Sequence, residues 1–339
     1  MLDIFKGHAF STTSLTDAIN DLKYKPGRID ELGIFAASGV ATTSIAIEKK
    51  GEILVIVPPT PRGGPGTTIG RVKRDLRNLR IPHFEINDAV MADEVQDVRQ
   101  FGKEKAIETV MGKVAERFLT HLNSFAVTEE FARMGAVQGI IVYADGSTLN
   151  LFDEFGVTAD PVINFDLKNL TVEDGTLRRT CAGIVRRVAE HLGGVPFDGI
   201  HAFCGDNFFD DLLQHPEVRE TFKGWSEAQI LRDGYVSPKK SAFGTFEFGG
   251  IVWENYRGAV GSKTYVGTDD CHLFPTGVPD LFKTAYAPAD YVDTVNTVGQ
   301  RVYARQDEMR GGKGVHLDTQ MNALQYCTRP KVLMKGKRG

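Results

Sequence analysis

The sequence predicts an α+β fold, and three patterns carry that expectation. Between Lys103 and Arg133 the residues Ile107, Val110, Met111, Val114, Phe118, Leu122 and Phe125 recur at three- and four-residue spacing. No proline interrupts them, so they mark one long amphipathic helix. Two apolar runs, Gly139–Tyr143 and Thr148–Phe152, flank Asp145-Gly146, the strongest short-range cue for a β-hairpin. From Asp174 onward helix and strand alternate, which suits an α/β or α+β lobe. In that lobe Leu177, Cys181, Ile184, Val188 and Leu192 mark a helix ending at Gly193-Gly194, Gly199–Phe203 reads as a strand, and Phe208–Phe222 reads as helix broken at Pro216. At 339 residues the chain has room for about two domains.

The remaining elements follow in chain order. Residues 1–36 read as an arm: Ser14-Leu-Thr-Asp17 offers a helix cap, Lys25-Pro-Gly27 breaks the helix, and too few apolar residues are present to fold alone. Ser44–Glu48 and Ile53–Val57 flank the turn residues Lys50-Gly51 as a β-hairpin, although two strands by themselves are marginal in water. Prolines and glycines then forbid a long regular element until about Arg71, so this stretch reads as an exposed excursion. Near the C-terminus, Phe243–Tyr256 alternates as a strand pair turned at Gly249-Gly250, and short strands follow at Tyr303–Arg305, Val315–Leu317 and Lys331–Met334. There is no tandem repeat or low-complexity tract.

Composition narrows the function. Hydrophobic residues at 42% and charged residues at 25% fit a globular chain. The net charge of -4 argues against a protein that coats nucleic acid. The strongest apolar run, Ile53–Val57, falls far short of a membrane helix, and the N-terminus lacks the basic and apolar regions of a signal peptide, so synthesis in the cytoplasm is expected. Cys181, Cys204, Cys271 and Cys327 show no CxxC spacing and are expected to be reduced, buried thiols.

Four stretches invite a chemical reading. Gly63–Gly70 has the look of a phosphate cradle, but Arg71 and Val72 stand where a P-loop needs Lys and a hydroxyl, and Pro65 removes a backbone donor. Arg71, Lys73, Arg74, Arg77 and Arg80, with only Asp75 among them, lack the interleaved aromatics of a single-strand binder. They suit either a solvated basic face or an arm that pairs with acidic surface on another subunit. His201-Ala-Phe-Cys204 resembles a thiol nucleophile near a base, yet its alternation on a strand favours packing. Asp269-Asp-Cys-His272 holds ligand-type residues, but neighbours on a strand face opposite ways.

The order of parts and a series of short motifs together resemble the lambda-type phage major capsid proteins, the capsid protein E family. The carriers in the first half are Leu32-Gly-Ile-Phe35, Pro61-Arg-Gly63, Glu94–Gly102, Thr128-Glu-Glu130, Gly135–Gly139, Asp145-Gly146 and Phe152–Gly156. In the second half they are Phe246–Ile251, Tyr256-Arg-Gly258, Phe274–Val278, Tyr286–Asp290 and Asn296–Gly299. The tail Met334–Gly339 is basic and lies outside the motifs that carry the resemblance.

The resemblance implies a Hong Kong ninety-seven-type phage capsid fold. Its parts are an N-terminal arm (1–36), an E-loop hairpin and return limb (37–90), a peripheral domain with a spine helix (91–173) and an axial domain (174–240). Residues 241–339 carry axial strands returning to peripheral strands and the C-terminus. It implies a major capsid protein forming pentamers and hexamers of an icosahedral shell, with no catalytic activity, no cofactor and no metal. Arg62, Arg71, Lys73, Arg74, Arg77 and Arg80 of the E-loop, with Phe10 and Leu15 of the arm, are the expected subunit-interface residues. Expected partners are other copies of the chain, a portal protein, a decoration protein and packaged double-stranded DNA as a non-specific neighbour. A separate scaffolding protein is expected too, because the chain starts at Met1 with no scaffold segment ahead of it. The rival readings are a cytoplasmic enzyme using Cys204 and His201, and a tail-tube subunit.

Overall fold

In the computed structural model, which describes residues 12–21, 27–50, 74–96, 110–169, 173–222, 244–257, 259–260 and 263–339, the chain opens with helices α1 (Thr12–Asp21) and α2 (Arg28–Glu31) and strand β1 (Phe35–Gly39). Strands β2 (Ser44–Lys50) and β3 (Arg74–Arg80) make a ribbon, and β4 (His83–Met91) follows. The helix α3 (Val110–Gln138) comes next, then the hairpin β5 (Ile140–Val142) and β6 (Thr148–Asn150), helix α4 (Leu151–Glu154) and strand β7 (Ile163–Asn164). Helix α5 (Thr176–Leu192), strand β8 (Gly199–Cys204) and helices α6 (Asp206–Gln214) and α7 (Pro216–Phe222) form the next group. The last strands are β9 (Thr245–Phe248), β10 (Ile251–Asn255), β11 (Ala259–Val260), β12 (Lys263–Thr264), β13 (Asp270–Thr276), β14 (Phe282–Tyr286), β15 (Tyr303–Glu308), β16 (Gly314–Cys327) and β17 (Met334–Lys337).

Two large sheets divide these strands. One has the order β1-β14-β16-β15 with β4 also on β16, and the other runs β7-β17-β13-β8-β10-β9. Strand β16 holds the first together because its 14 residues pair β4 over Gly314–Asn322 and β14 over Ala323–Cys327. In the second sheet β8 is buried on both faces, as a strand covered from both sides must be.

Helix α3 joins the two halves. Its 29 residues span about 43 Å at 1.5 Å per residue. Val114, Phe118, Leu122 and Phe125 fall on one stripe and pack with Val90, Val302, Ala304, Leu317 and Met321 over the five-stranded sheet. Further along, Ala132, Met134, Ala136 and Val137 enter a separate core built around Phe203, Phe208, Trp253 and Phe274 of the six-stranded half. Burial of each such large side chain contributes about 1.5–3 kcal/mol. Helix α5 lies on the six-stranded half through the stripe Leu177, Cys181, Ile184, Val188 and Leu192 and stops at Gly193, φ 63, as its spacing predicts.

Several elements differ from expectation. Helix α3 runs to Gln138 rather than Arg133 and ends at Gly139, whose φ of 82 suits glycine, while the start expected at Lys103 lies outside the described residues. Helix α1 begins at Thr12, so Ser14 and Asp17 sit inside it; Thr16 Oγ1 accepts from Ala304 N (3.3 Å), so docking on β15 rather than a local cap fixes the helix. Lys50 is not a turn residue. Strand β2 runs through it and pairs antiparallel with β3, from Ser44 opposite Arg80 to Lys50 opposite Arg74, while Ile53–Val57 lies outside the described residues. Leu151 and Phe152 leave the second hairpin strand and start α4, because the Asn150 side chain caps that helix by accepting from Phe152 N (3.1 Å). The break expected at Pro216 is present: α6 ends at Gln214, and Pro216 begins α7, where its missing N–H costs nothing. Residues Pro330–Val332 form a 3-10 turn, since Pro330 fixes φ and offers no ladder donor, and the last strand starts at Met334.

Candidate functional site

Where the two cores meet along α3, the apolar stripe is interrupted by charge. Glu129, Glu130 and Arg133 occupy positions that continue the buried face of Phe125 and Ala126, and all three are buried. Buried charges are tolerated only when paired and hydrogen-bonded. Glu129 accepts from Tyr286 OH (2.7 Å) through Oε1 and from Arg301 Nε (2.8 Å) and Nη2 (2.6 Å) through Oε2. Glu130 Oε1 accepts from Ile29 N (2.7 Å) and Tyr256 OH (2.8 Å). Arg133 Nη1 meets Asp30 Oδ1 at 2.6 Å.

Helix α2 closes this seam from the N-terminal side. Ile29 is fully buried, and Arg28 forms a two-pronged pair with Glu254 of β10, Nε to Oε1 at 2.6 Å and Nη2 to Oε2 at 3.0 Å. His201 Nε2 of β8 approaches Glu254 Oε2 from the other side at 3.0 Å. Gly27 has no side chain because a Cβ would collide with the Glu130 carboxyl. The seam therefore ties helix α2, helix α3 and both sheets into one body.

Its titration follows from the contacts. Burial raises the Glu130 carboxyl above its ordinary value, and the hydrogen bonds from Ile29 and Tyr256 oppose that without cancelling it. For Glu254 burial also acts upward, but the bonds from His201 and Arg28 outweigh it and hold the carboxyl low. Burial alone would lower the Arg133 guanidinium, and Glu129 and Asp30 reverse the sign and raise it.

Of the residues expected at an interface, Leu15, Arg74, Arg77 and Arg80 fall among the described residues. Leu15 packs partly buried against the Phe118 core. Arg74, Arg77 and Arg80 all lie on β3, and Arg80 is exposed. Arg77 Nη1 donates to the carbonyls of Asp153 (2.8 Å) and Glu154 (2.7 Å), which commits it within the chain. Phe10, Arg62, Arg71 and Lys73 lie outside the described residues, as does Gly63–Gly70.

The thiol reading fails on geometry. His201 and Cys204 are three apart on β8 and so face opposite ways, the thiol is fully buried, and the imidazole is taken by Glu254. Among the described residues all four cysteines are buried and unbridged, and no cluster of three or more His, Cys, Asp or Glu side chains is disposed to hold a metal. In the Asp269–His272 stretch, Asp269 meets Arg338 (3.0 Å), and burial pushes His272 down to about 4. The basic tail is likewise structural: Arg338 also meets Asp211 at 3.1 Å, and β17 pairs with β13. Sequence reading missed the seam itself. The signal was present, as acids and an arginine in phase with an apolar helical stripe.

The architecture has known counterparts. A prophage protein of E. coli CFT073 described as a capsid protein shares the fold over 97% of this chain and 99% of its own, with a TM-score of 0.58 at 12% identity. That likeness establishes a phage capsid fold of the Hong Kong ninety-seven type. In sequence, the major capsid protein of Pseudomonas phage KPP10 is 29% identical over 344 residues, covering 97% of each chain. That of Salmonella phage Felix O1 is 25% identical over 355 residues, covering 96% of this chain and 95% of its own. Residues 11–338 match the family described as phage major capsid protein E, and the chain belongs to it. Its work is that of a tailed-phage major capsid protein, a structural subunit of the icosahedral shell and hence of the virion.

Proposed function

We propose that the chain assembles through pentamers and hexamers, with the seam-locked body as a rigid unit and the β2–β3 ribbon as the E-loop that reaches a neighbouring subunit. In this reading the five-stranded sheet with α3 is the peripheral domain, and the six-stranded sheet with α5, α6 and α7 is the axial domain. The protein acts without catalysis. Assembly takes place in the host cytoplasm around a separate scaffolding protein, with a portal at one vertex, a decoration protein outside and DNA inside, and the ribbons reorient as the shell expands.

The observation that carries the reading is the ribbon. Its two strands pair only with each other among the described residues, and of the side chains described there Leu79 is buried against the body, with Ile45 packed partly beside it. Ala46, Arg77, Asn78 and Arg80 are exposed. A two-stranded ribbon is marginal in water and gains from a third surface. Many weak contacts of this kind become effectively permanent once each subunit is held by its neighbours.

The test is to replace residues 47–77 with Asn-Gly, which keeps the strand base from Ser44 to Ala46 opposite Asn78 to Arg80. Subunits should stay folded by circular dichroism and form few closed shells in electron micrographs. Shells in normal yield would overturn the reading.

A further inference from the structure

The segment from Pro288 to Gly299 turns the usual burial pattern inside out. Val292, Val298 and Val295 are 88%, 65% and 63% exposed, the three most exposed large apolar side chains among the described residues. They recur every third residue, and the loop that bears them is firmly built. On its underside Ala289, Tyr291, Thr294 and Tyr303 are buried. Thr294 Oγ1 donates within 3.0 Å of the Ala289 and Tyr291 carbonyls, Gln300 N donates to Tyr303 OH (2.8 Å), and Gly299 N donates to Val40 O (2.9 Å). Such a knob holds its valines in water at a cost of about 25 cal/mol per Å² of apolar surface, and contiguous exposed apolar patches mark binding surfaces.

Charge selects what covers it. The only charged residues between Pro288 and Gly299 are Asp290 and Asp293, both exposed and neither in an ion pair among the described residues. Two such knobs facing each other would bring carboxylates together, which disfavours contact between like surfaces. The stretch from Arg71 to Arg80 has the opposite character, with five cations against Asp75; Arg77 is held by the Asp153 and Glu154 carbonyls, Arg80 is exposed, and the β3 portion carries an open strand edge. We propose that the valine knob of one subunit is the docking surface for β3 of a second copy of this chain, Val292 and Val295 giving apolar contact and Asp290 and Asp293 meeting the ribbon's basic side chains. The proposal rests on the ribbon acting between subunits and names the surface it meets.

The full-length double variant V292N/V295N tests it, because both side chains point to solvent and the folded subunit does not need them. Its thermal midpoint should match the wild type while closed-shell yield at equal subunit concentration falls about tenfold, the equivalent of roughly 1.4 kcal/mol. Arg80→Glu should lower the yield, and Arg80→Glu combined with Asp293→Arg should restore part of it. In co-assembled shells of two separately tagged populations, one V292C and the other N78C, a short bismaleimide should join V292C chains to N78C chains. Normal yield from V292N/V295N would overturn the knob while leaving the ribbon's role standing if the 47–77 replacement still fails to close shells. Cross-links only between V292C chains would overturn β3 as the occupant.

Discussion

The seam at Glu129–Arg133 and the knob at Pro288–Gly299 break the same rule in opposite directions. In the seam, four charged side chains, Glu129, Glu130, Arg133 and Glu254, are buried and Arg28 is half-buried beside Glu254; in the knob, three valines stand in water. The difference lies in where each finds its partner. Every seam charge meets an opposite charge or a hydrogen-bond donor inside the subunit, so the seam specifies one arrangement of the two halves. Among the described residues the valines stay mostly uncovered, Val298 alone lying beside Gly39, and their loop is too well fastened to fold them away. A subunit that must be rigid yet incomplete needs both.

The strongest attempt to break this contrast is Glu129→Gln, which leaves Arg301 and Arg133 beside a neutral amide. Breaking a buried pair from one side costs about 3–5 kcal/mol, so urea unfolding of the unassembled subunit should shift by that order. A shift below 1 kcal/mol would mean the seam's charges are not holding the halves together. Ile29→Val is milder. Removing one methyl from the fully buried staple should cost about 1 kcal/mol and show in the same unfolding curves, with no loss at all implying that α2 is not anchored there.

The finest test reads pH. The Glu130 carboxyl is raised in the folded state, so the folded subunit holds that proton more tightly than the unfolded chain does. Its contribution is fully present below the ordinary glutamate pKa and is lost as pH rises through the folded one. Glu254, held low, works the other way and gives up stability as pH falls through its folded value. Unfolding midpoints measured across the weakly acidic range should therefore decline with rising pH in the wild type more than in Glu130→Gln. Identical slopes would show that Glu130 is not the group responsible.

Much of the fold was legible because the signals were local. Helix α5 was marked by its five apolar positions and its terminal Gly193, and the β9–β10 turn by Gly249-Gly250. Failures came where a partner distant in sequence decided the outcome. Lys50 reads as a turn beside Gly51, but the partner of β2 is a basic strand more than twenty residues on, which has no alternating apolar signature. Arg77 reads as surface charge until α4 places two carbonyls against it. The seam was written in Glu129, Glu130 and Arg133, but a charged residue in an apolar stripe does not say what it faces.

By itself the sequence determined the long helix, the mixed class of the fold and, through collinear motifs along the chain, membership of a capsid family. Those properties depend on spacing and turn chemistry, which act over a few residues at a time. The tertiary structure alone decided that Arg28 meets Glu254 across 226 positions, that Arg301 meets Glu129 across 172, and that Val292 is left without cover among the described residues. Burial and charge pairing depend on distances in space, and those exist only once the chain has packed.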